Sequence, residues 1–240
     1  MNNESSNECV NVLWTGGWDS SFRVIQAVKQ GNIVQPYYVI DTSRQSSLKE
    51  IKQMQKIRAA LSAKYSNGTV NEIKYINIDS LVAEPKYKQA HSRLLKQNFM
   101  GTQYIWLSAL SKQISNLELC IHRDDKAEFF VNKLEAQRAN NPDGARDSDE
   151  ELIFGSLKYP ILNYTKVDMA EECKKDGDLD ILNMSWFCFS PINDTPCGLC
   201  NPCKYSLEEG MQNRFTTRGK LYSKAPVVFG TVRKIARRFF

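Results

Sequence analysis

The sequence predicts an α/β fold, a parallel five-stranded sheet flanked by helices, with a cysteine-rich subregion towards the C-terminus. Three observations carry this. Short apolar runs alternate with stretches whose apolar residues recur at helical spacing, as strands joined by crossover helices do. The first run meets its helix through a glycine pair, Gly16-Gly17. Four cysteines gather between positions 188 and 203.

Val10, Val12, Leu13 and Trp14 form the first strand. Thr15-Gly16-Gly17-Trp18-Asp19-Ser20-Ser21 follows, and Phe22, Val24, Ile25 and Val28 then recur as the buried face of a helix. Adjacent glycines let the backbone turn its N–H groups inward where a helix begins, and both features favour an anion such as phosphate. Thr15, Ser20 and Ser21 add hydroxyls, and Asp19 or Ser20 can cap the helix. An ordinary capped strand-to-helix turn would use the same residues. After Gly31 comes the second strand, Val34 to Ile40, ending at Asp41. Ligands of parallel sheets sit beyond the carboxyl ends of the strands, where the glycine turn and Asp41 both fall. Asp41 can touch a ribose or adenine edge, or cap the next helix.

That helix runs from Ser47 to Tyr65, with Leu48, Ile51, Met54, Ile57 and Leu61 on one face, and Asn67-Gly68 ends it. Glu72 to Ile78 alternates as a third strand. Leu81 to Phe99 reads as a loop and an irregular helix at the rim of the site, with His91 on the surface. A helix over Gln103 to Ile114 buries Ile105, Trp106, Ala109 and Leu110. Leu117 to Ile121 is the fourth strand, with Cys120 as a core thiol. His122-Arg123-Asp124-Asp125 follows it directly, either to orient a substrate or as a solvated turn. Glu128 to Ala139 is helical, Asn140 to Glu151 a polar loop long enough for a flexible flap, and Leu157 to Leu162 a short strand or extended piece. Thr165 caps a helix with Asp168 in the capping-box position. Lys166 in its first turn opposes the helix dipole, which implies either an anionic partner or simple solvation.

An apolar content of 42% supports a substantial core. No apolar run reaches about 18 residues, so no membrane span is expected. The opening MNNESSNE has neither the basic nor the apolar part of a secretory leader and reads as a disordered arm. Seven cysteines in such a chain point to a reducing, cytoplasmic setting and to metal or reactive thiols. The expected organisation is an arm (1–9), an α/β domain (10–180), a cysteine region (181–212) and a basic tail (213–240). After Glu209 the chain has eight basic residues and no acidic one, so its positive charge belongs to the tail.

Cys188, Cys197, Cys200 and Cys203 are spaced C-x8-C-x2-C-x2-C. Four thiolates around a tetrahedral ion make a closed structural zinc site, and Gly198 and Pro202 suit the reversed turn. An iron–sulfur cluster also takes four cysteines, and neighbouring disulfides are a third option. Cys9 and Cys173 stand apart.

Thr15-Gly16-Gly17-Trp18-Asp19-Ser20 resembles the Ser-Gly-Gly-x-Asp-Ser motif of PP-loop ATP pyrophosphatases, with threonine keeping the first hydroxyl. Together with the cysteine spacing, it makes the chain from Val10 to Met211 resemble the 7-cyano-7-deazaguanine synthase family. Also similar are Asp41 after the second strand, Thr165-Lys166 where the family has Asp-Lys, and Asp124 to Phe129, close to its Asp-Cys-Arg-x-Glu-Phe. The resemblance implies ATP with Mg²⁺, a structural Zn²⁺, and a homodimer. It implies a nucleotide site at Trp14, Thr15, Gly16, Gly17, Asp19, Ser20, Ser21 and Asp41, with Asp19, Ser20 and Lys166 catalytic. Gly101, Gln103, Arg123 and Asp124 fall where substrate contacts are implied. The implied reaction adenylates 7-carboxy-7-deazaguanine and converts it with ammonia to the nitrile.

The departures cluster on the acid-substrate side. The family's Tyr-Gly-Gln-Arg-His after Asp41 is Thr42-Ser43-Arg44-Gln45-Ser46, and its Pro-Gly-Arg-Asn is Met100-Gly101-Thr102-Gln103. A second expectation is therefore a divergent relative, of the kind found in antiviral or modification systems, joining the activated deazaguanine to a partner protein's amine. The tail ending at Phe240 could dock such a partner as a basic amphipathic helix. A nucleotide-binding scaffold without turnover is a third.

Overall fold

The computed structural model describes residues 8–226 and 229. Strands β1 (Cys9–Leu13) and β2 (Ile33–Ile40) lie parallel, Val10 opposite Val34 and Leu13 opposite Tyr37, joined by helix α1 (Trp18–Lys29). Beyond β2 runs a strand in two pieces, β3 (Thr69–Val70) and β4 (Lys74–Asn77), both parallel to it. The sequence predicts one strand here over Glu72 to Ile78. The break falls opposite Gln35-Pro36, where proline offers no N–H to a neighbour. Gln35 Nε2 donates instead to the Glu72 carbonyl at 3.0 Å.

On the other side of β1 the sheet continues through single parallel bridges, Val12 to Glu118 and Glu118 to Lys158. These stand where the fourth and fifth strands are expected. The fourth curls away early: the Ile121 N–H donates to the Leu119 carbonyl at 3.0 Å, a three-residue turn that ends the pairing.

Helices α2 (Ser47–Lys64), α3 (Pro85–Leu94), α4 (Gln103–Gln113), α5 (Glu128–Asn140), α6 (Pro142–Arg146) and α7 (Asp149–Phe154) follow in order. Then come α8 (Lys166–Lys175), α9 (Leu179–Asn183), α10 (Asn201–Glu208) and α11 (Thr217–Lys224). Two cores flank the sheet. Val12, Val34 and Tyr38 pack with Phe22, Met54, Met169 and Leu182 on one face, while Leu13 and Val39 pack with Leu94, Leu107, Phe130 and Phe154 on the other. The period of two along β1 and β2 thus sends alternate residues to opposite helical layers.

Further expectations change. Asn140 to Glu151 is not a flap but α6 and the start of α7. Asn141 and Ser148 cap these helices by accepting from Gly144 N and Glu151 N, and Ile153 and Phe154 anchor α7 in the core. His91 is buried, its Nε2 3.0 Å from the Gly101 carbonyl oxygen. Leu48 is 83% exposed rather than part of the buried face of α2.

A third cluster joins Trp186, Cys188, Cys197, Cys203 and Phe215. The stretch 215–224, expected in the tail, packs on it: Arg218 donates to the Ile192 carbonyl at 2.6 Å. Most of the expected N-terminal arm and the basic helix over 231–240 lie outside the described residues. Among the described residues no helix is long and apolar enough to cross a membrane.

Candidate active site

At the carboxyl end of β1 the backbone turns at Gly16, whose φ is +70°. A Cβ there would meet Met54 Cγ at 3.1 Å and the Glu50 carbonyl oxygen at 3.2 Å, so conformation and space both favour glycine. Gly17, rather than Asp19 or Ser20, is the N-cap of α1, and no side chain caps the helix. The hydroxyls fasten the turn instead. Ser20 Oγ accepts from Thr15 N at 3.2 Å and lies 3.1 Å from Thr15 Oγ1, and Ser21 Oγ accepts from Trp14 Nε1 at 3.0 Å. The leading N–H groups of α1 are left for an anion.

The turn opens onto a cleft of about 1050 Å³ at the carboxyl edge of the sheet and a cavity of about 220 Å³ beside it. Thr15, Asp19, Arg44, Phe189, Pro202 and Tyr205 line both. Asp41 and Gln103 line the cleft, as does Asp125. Asp41 does not cap α2: its Oδ1 accepts from Ser43 N at 2.9 Å and from Ser43 Oγ at 2.6 Å, shaping the loop that carries Arg44. Gly101 is not among the residues lining the cleft; its carbonyl lies 3.0 Å from His91 Nε2 and accepts from Tyr104 N at 3.4 Å. Arg123 and Asp124 are exposed and outside the lining, with Arg123 donating to the Asn163 carbonyl at 2.7 Å. Cys120 packs against the core, as expected, and also lines the cleft, and burial holds its thiol well above the ordinary range.

Asp19 and Lys166 face the same cavity from α1 and α8. Asp19 Oδ1 is buried with no hydrogen-bond partner. Burial pushes this carboxyl up, and the charges of Lys166 and His122 pull it part of the way back. The predicted capping box of α8 is present, with Thr165 and Asp168 bonding reciprocally. Lys166, first residue of that helix, reaches across to Glu209 Oε1 at 2.7 Å, so the anion that its position calls for is in the chain itself.

Sequence reasoning passes over Glu50, Arg44 and Phe189. Glu50, buried in the first turn of α2, accepts from Tyr38 Oη, Ser46 Oγ and Arg44 Nη2, each at 2.7 Å. It holds Arg44 between the two cavities, 4.7 Å over the Phe189 ring. The available signal was an acidic residue set among the apolar positions of a helix.

The four cysteine sulfurs lie within 4.8 Å of one another, with Cys200 and Cys203 at 3.4 Å, and 188–200 and 197–203 at 3.9 Å. A tetrahedral ion with metal–sulfur bonds of about 2.3 Å spaces its sulfurs by roughly 3.8 Å. The set therefore fits one ion such as zinc, whereas a four-iron cluster, holding each thiolate on a different iron, needs wider spacing. Backbone N–H groups of Cys197, Leu199 and Cys200 point at Cys188 and Cys197 sulfurs at 3.3–3.4 Å, as thiolate ligands require. All four ligand positions are filled by sulfur, so the ion would brace the fold.

A glycine turn, an uncapped helix start and a lysine converging beyond the strand ends are suited to nucleotide phosphates. These features define an α/β protein with a glycine turn leading from its first strand into its first helix. Residues 9–213 match the family model of the Queuosine biosynthesis protein QueC, and the chain belongs to that family. Among solved structures it is similar to a predicted subunit of tRNA methyltransferase from Methanocaldococcus jannaschii, at 12% identity and TM-score 0.41, over 87% of this chain and 92% of that one. NMN synthetase from Francisella tularensis is similar at 15% identity and TM-score 0.39, over 91% and 82%. A 4-thiouridine synthetase in complex with RNA and bound ATP is similar at 13% identity and TM-score 0.41, over 92% of this chain and 54% of that one. No curated protein sequence matches the chain.

Proposed function

We propose that the protein activates the carboxylate of a 7-deazaguanine acid, 7-carboxy-7-deazaguanine, with ATP, and passes the activated acyl group to ammonia. The observation that carries this reading is the convergence of Thr15, Asp19 and Asp41 on one cleft, with Lys166 lining the adjoining cavity. The turn and the leading N–H groups of α1 hold the phosphates, and Lys166 neutralises charge developing on them as the α–β bond breaks. Glu209 keeps Lys166 oriented until the phosphates take over its ammonium. Cleavage releases pyrophosphate and leaves an acyl-adenylate. Ammonia displaces AMP to give the amide, and a second activation of the amide oxygen followed by loss of AMP gives the nitrile.

Asp19 suits magnesium, since its orphaned Oδ1 is a hard oxygen donor beside the phosphate position. The ion would supply charge neutralisation at the phosphates. Zinc suits the cysteine set on its sulfur spacing.

One feature favours a second acceptor. The cleft wall carries Arg44, Thr102 and Gln103 where the family has other residues, so a protein amine in place of ammonia is the alternative. Labelled ATP, the acid and ammonia, with and without a candidate protein acceptor, separate the two. Free amide or nitrile supports the first, and added mass on the protein supports the second. No AMP or pyrophosphate under any condition would sink both. In either case the homodimer implied by the family belongs to the proposal and is read by sedimentation.

A further inference from the structure

We propose that Arg214 is a phosphate-binding residue of this site, a contact for the β- and γ-phosphates of ATP and for the pyrophosphate that leaves. The inference rests on the nucleotide reading above. Arg214 stands just past the end of the family match, so no motif pointed to it. It lines the 220 Å³ cavity together with Thr15, Gly17, Asp19 and Lys166.

Its guanidinium is clamped between rings, 5.3 Å over Trp18 and 4.7 Å over Phe187. One nitrogen, Nη2, donates to the Ser185 carbonyl and to Ser185 Oγ at 3.0 Å, while Nη1 has only a 4.0 Å contact with Met211 sulfur. The other cations near the cavity are balanced: Lys166 by Glu209 and Arg44 by Glu50. Among the described residues no carboxylate pairs with Arg214. Burial alone brings its basicity down, to about 10.

A largely desolvated charge without a counter-ion is costly, and aromatic faces offset only part of that cost. The cavity is where the balance can come from. Trp18, 8% exposed, lines it too and carries an indole N–H with no partner. A fixed guanidinium, a spare N–H and the open start of α1 around one small cavity match a multiply charged phosphate group. The planar carboxylate of the acid substrate would use the larger cleft instead.

The test uses full-length, zinc-loaded protein with magnesium, titrated calorimetrically with inorganic pyrophosphate, ATP and AMP. Arg214→Met should weaken pyrophosphate and ATP by about 10- to 100-fold, the loss of a charge-assisted contact. AMP should change by less than about 2-fold, and Arg214→Lys should recover part of the loss. Unchanged pyrophosphate affinity in Arg214→Met, or equal losses for AMP and pyrophosphate in both variants, overturns the proposal in favour of a purely structural arginine. If the wild type binds neither ATP nor pyrophosphate, the nucleotide reading itself fails. If it binds both and the variants match it, only the role of Arg214 fails.

Discussion

Trp186 donates its backbone N–H to the Gly16 carbonyl at 2.7 Å, tying the segment that enters the cysteine cluster to the glycine turn. The same tryptophan donates its indole N–H to the Cys188 carbonyl at 2.7 Å. The cysteine cluster and the glycine turn are therefore joined through one tryptophan.

Stripping the metal with a chelator should accordingly weaken ATP binding, although no cysteine touches the nucleotide site. Loss of the buried Trp186–Gly16 bond and its packing corresponds to about 1–2 kcal/mol, roughly a tenfold loss of affinity. Calorimetric titration before and after metal removal, with metal content measured in parallel, reads this. Unchanged affinity in metal-free protein would mean that the two regions are independent.

Gly198→Ala should release the metal. Gly198 has φ +73°, and a Cβ there would meet the Gly219 carbonyl oxygen at 2.0 Å, a backbone atom that α11 holds in place. Strain and clash together should cost at least about 2 kcal/mol. Elemental analysis should find less than one zinc per chain, and the melting temperature should fall.

Lys166→Met and Glu209→Gln should separate chemistry from stability. The ion pair is partly solvated, with side chains 21% and 31% exposed, so its loss should cost no more than about 1 kcal/mol in a melt. Lys166→Met should nevertheless lower AMP release by about 10²–10³-fold, as removal of a charge stabilising the transition state does. Glu209→Gln should leave most of that activity. A large stability loss in both variants with proportionate loss of activity would make the pair structural.

Asp19→Asn should stabilise the protein while abolishing AMP release. The folded state holds the Asp19 proton to higher pH than the unfolded chain, whose carboxyl titrates near 3.8. Between the two values the folded state binds more protons, so stability falls as pH rises through that window and stays reduced at neutral pH. The neutral amide escapes this, and the melting temperature at pH 7 should rise by about 2–4 °C, equivalent to roughly 1 kcal/mol in a chain of this size. The gain should shrink as the pH is lowered towards 4. A gain independent of pH would point to a cause other than the carboxyl charge.

Much of the architecture was legible because its signals are local. The apolar spacing of Met54, Ile57 and Leu61 marks α2, and the alternation in β1 and β2 marks buried strands, whatever surrounds them. Asn140 to Glu151 misled because its polar composition reads as loop, whereas Ile153 and Phe154 just beyond it pull α7 into the core. Ser148, three residues before Glu151, is a readable helix start. The site divides in the same way. The glycine turn, Asp19, Lys166 and the cysteines could be singled out from residue order. Arg123 and Asp124 could not be told from Asp125 by sequence, because only the course of the turn after Glu118 decides which side chain meets the cleft.

By itself the sequence determined which backbone can turn at Gly16, which segments are helical or extended, and which sulfurs are close enough in the chain to share an ion. These depend on dihedral freedom, side-chain period and short spacings, all properties of neighbouring residues. Only the tertiary structure decided the charge pairing of the site. Lys166 meets Glu209, Arg44 meets Glu50, and Arg214 meets two aromatic rings and no carboxylate among the described residues. Each partner is brought in by packing of a different element, and Coulomb energy in a buried site depends on distances that no local pattern encodes.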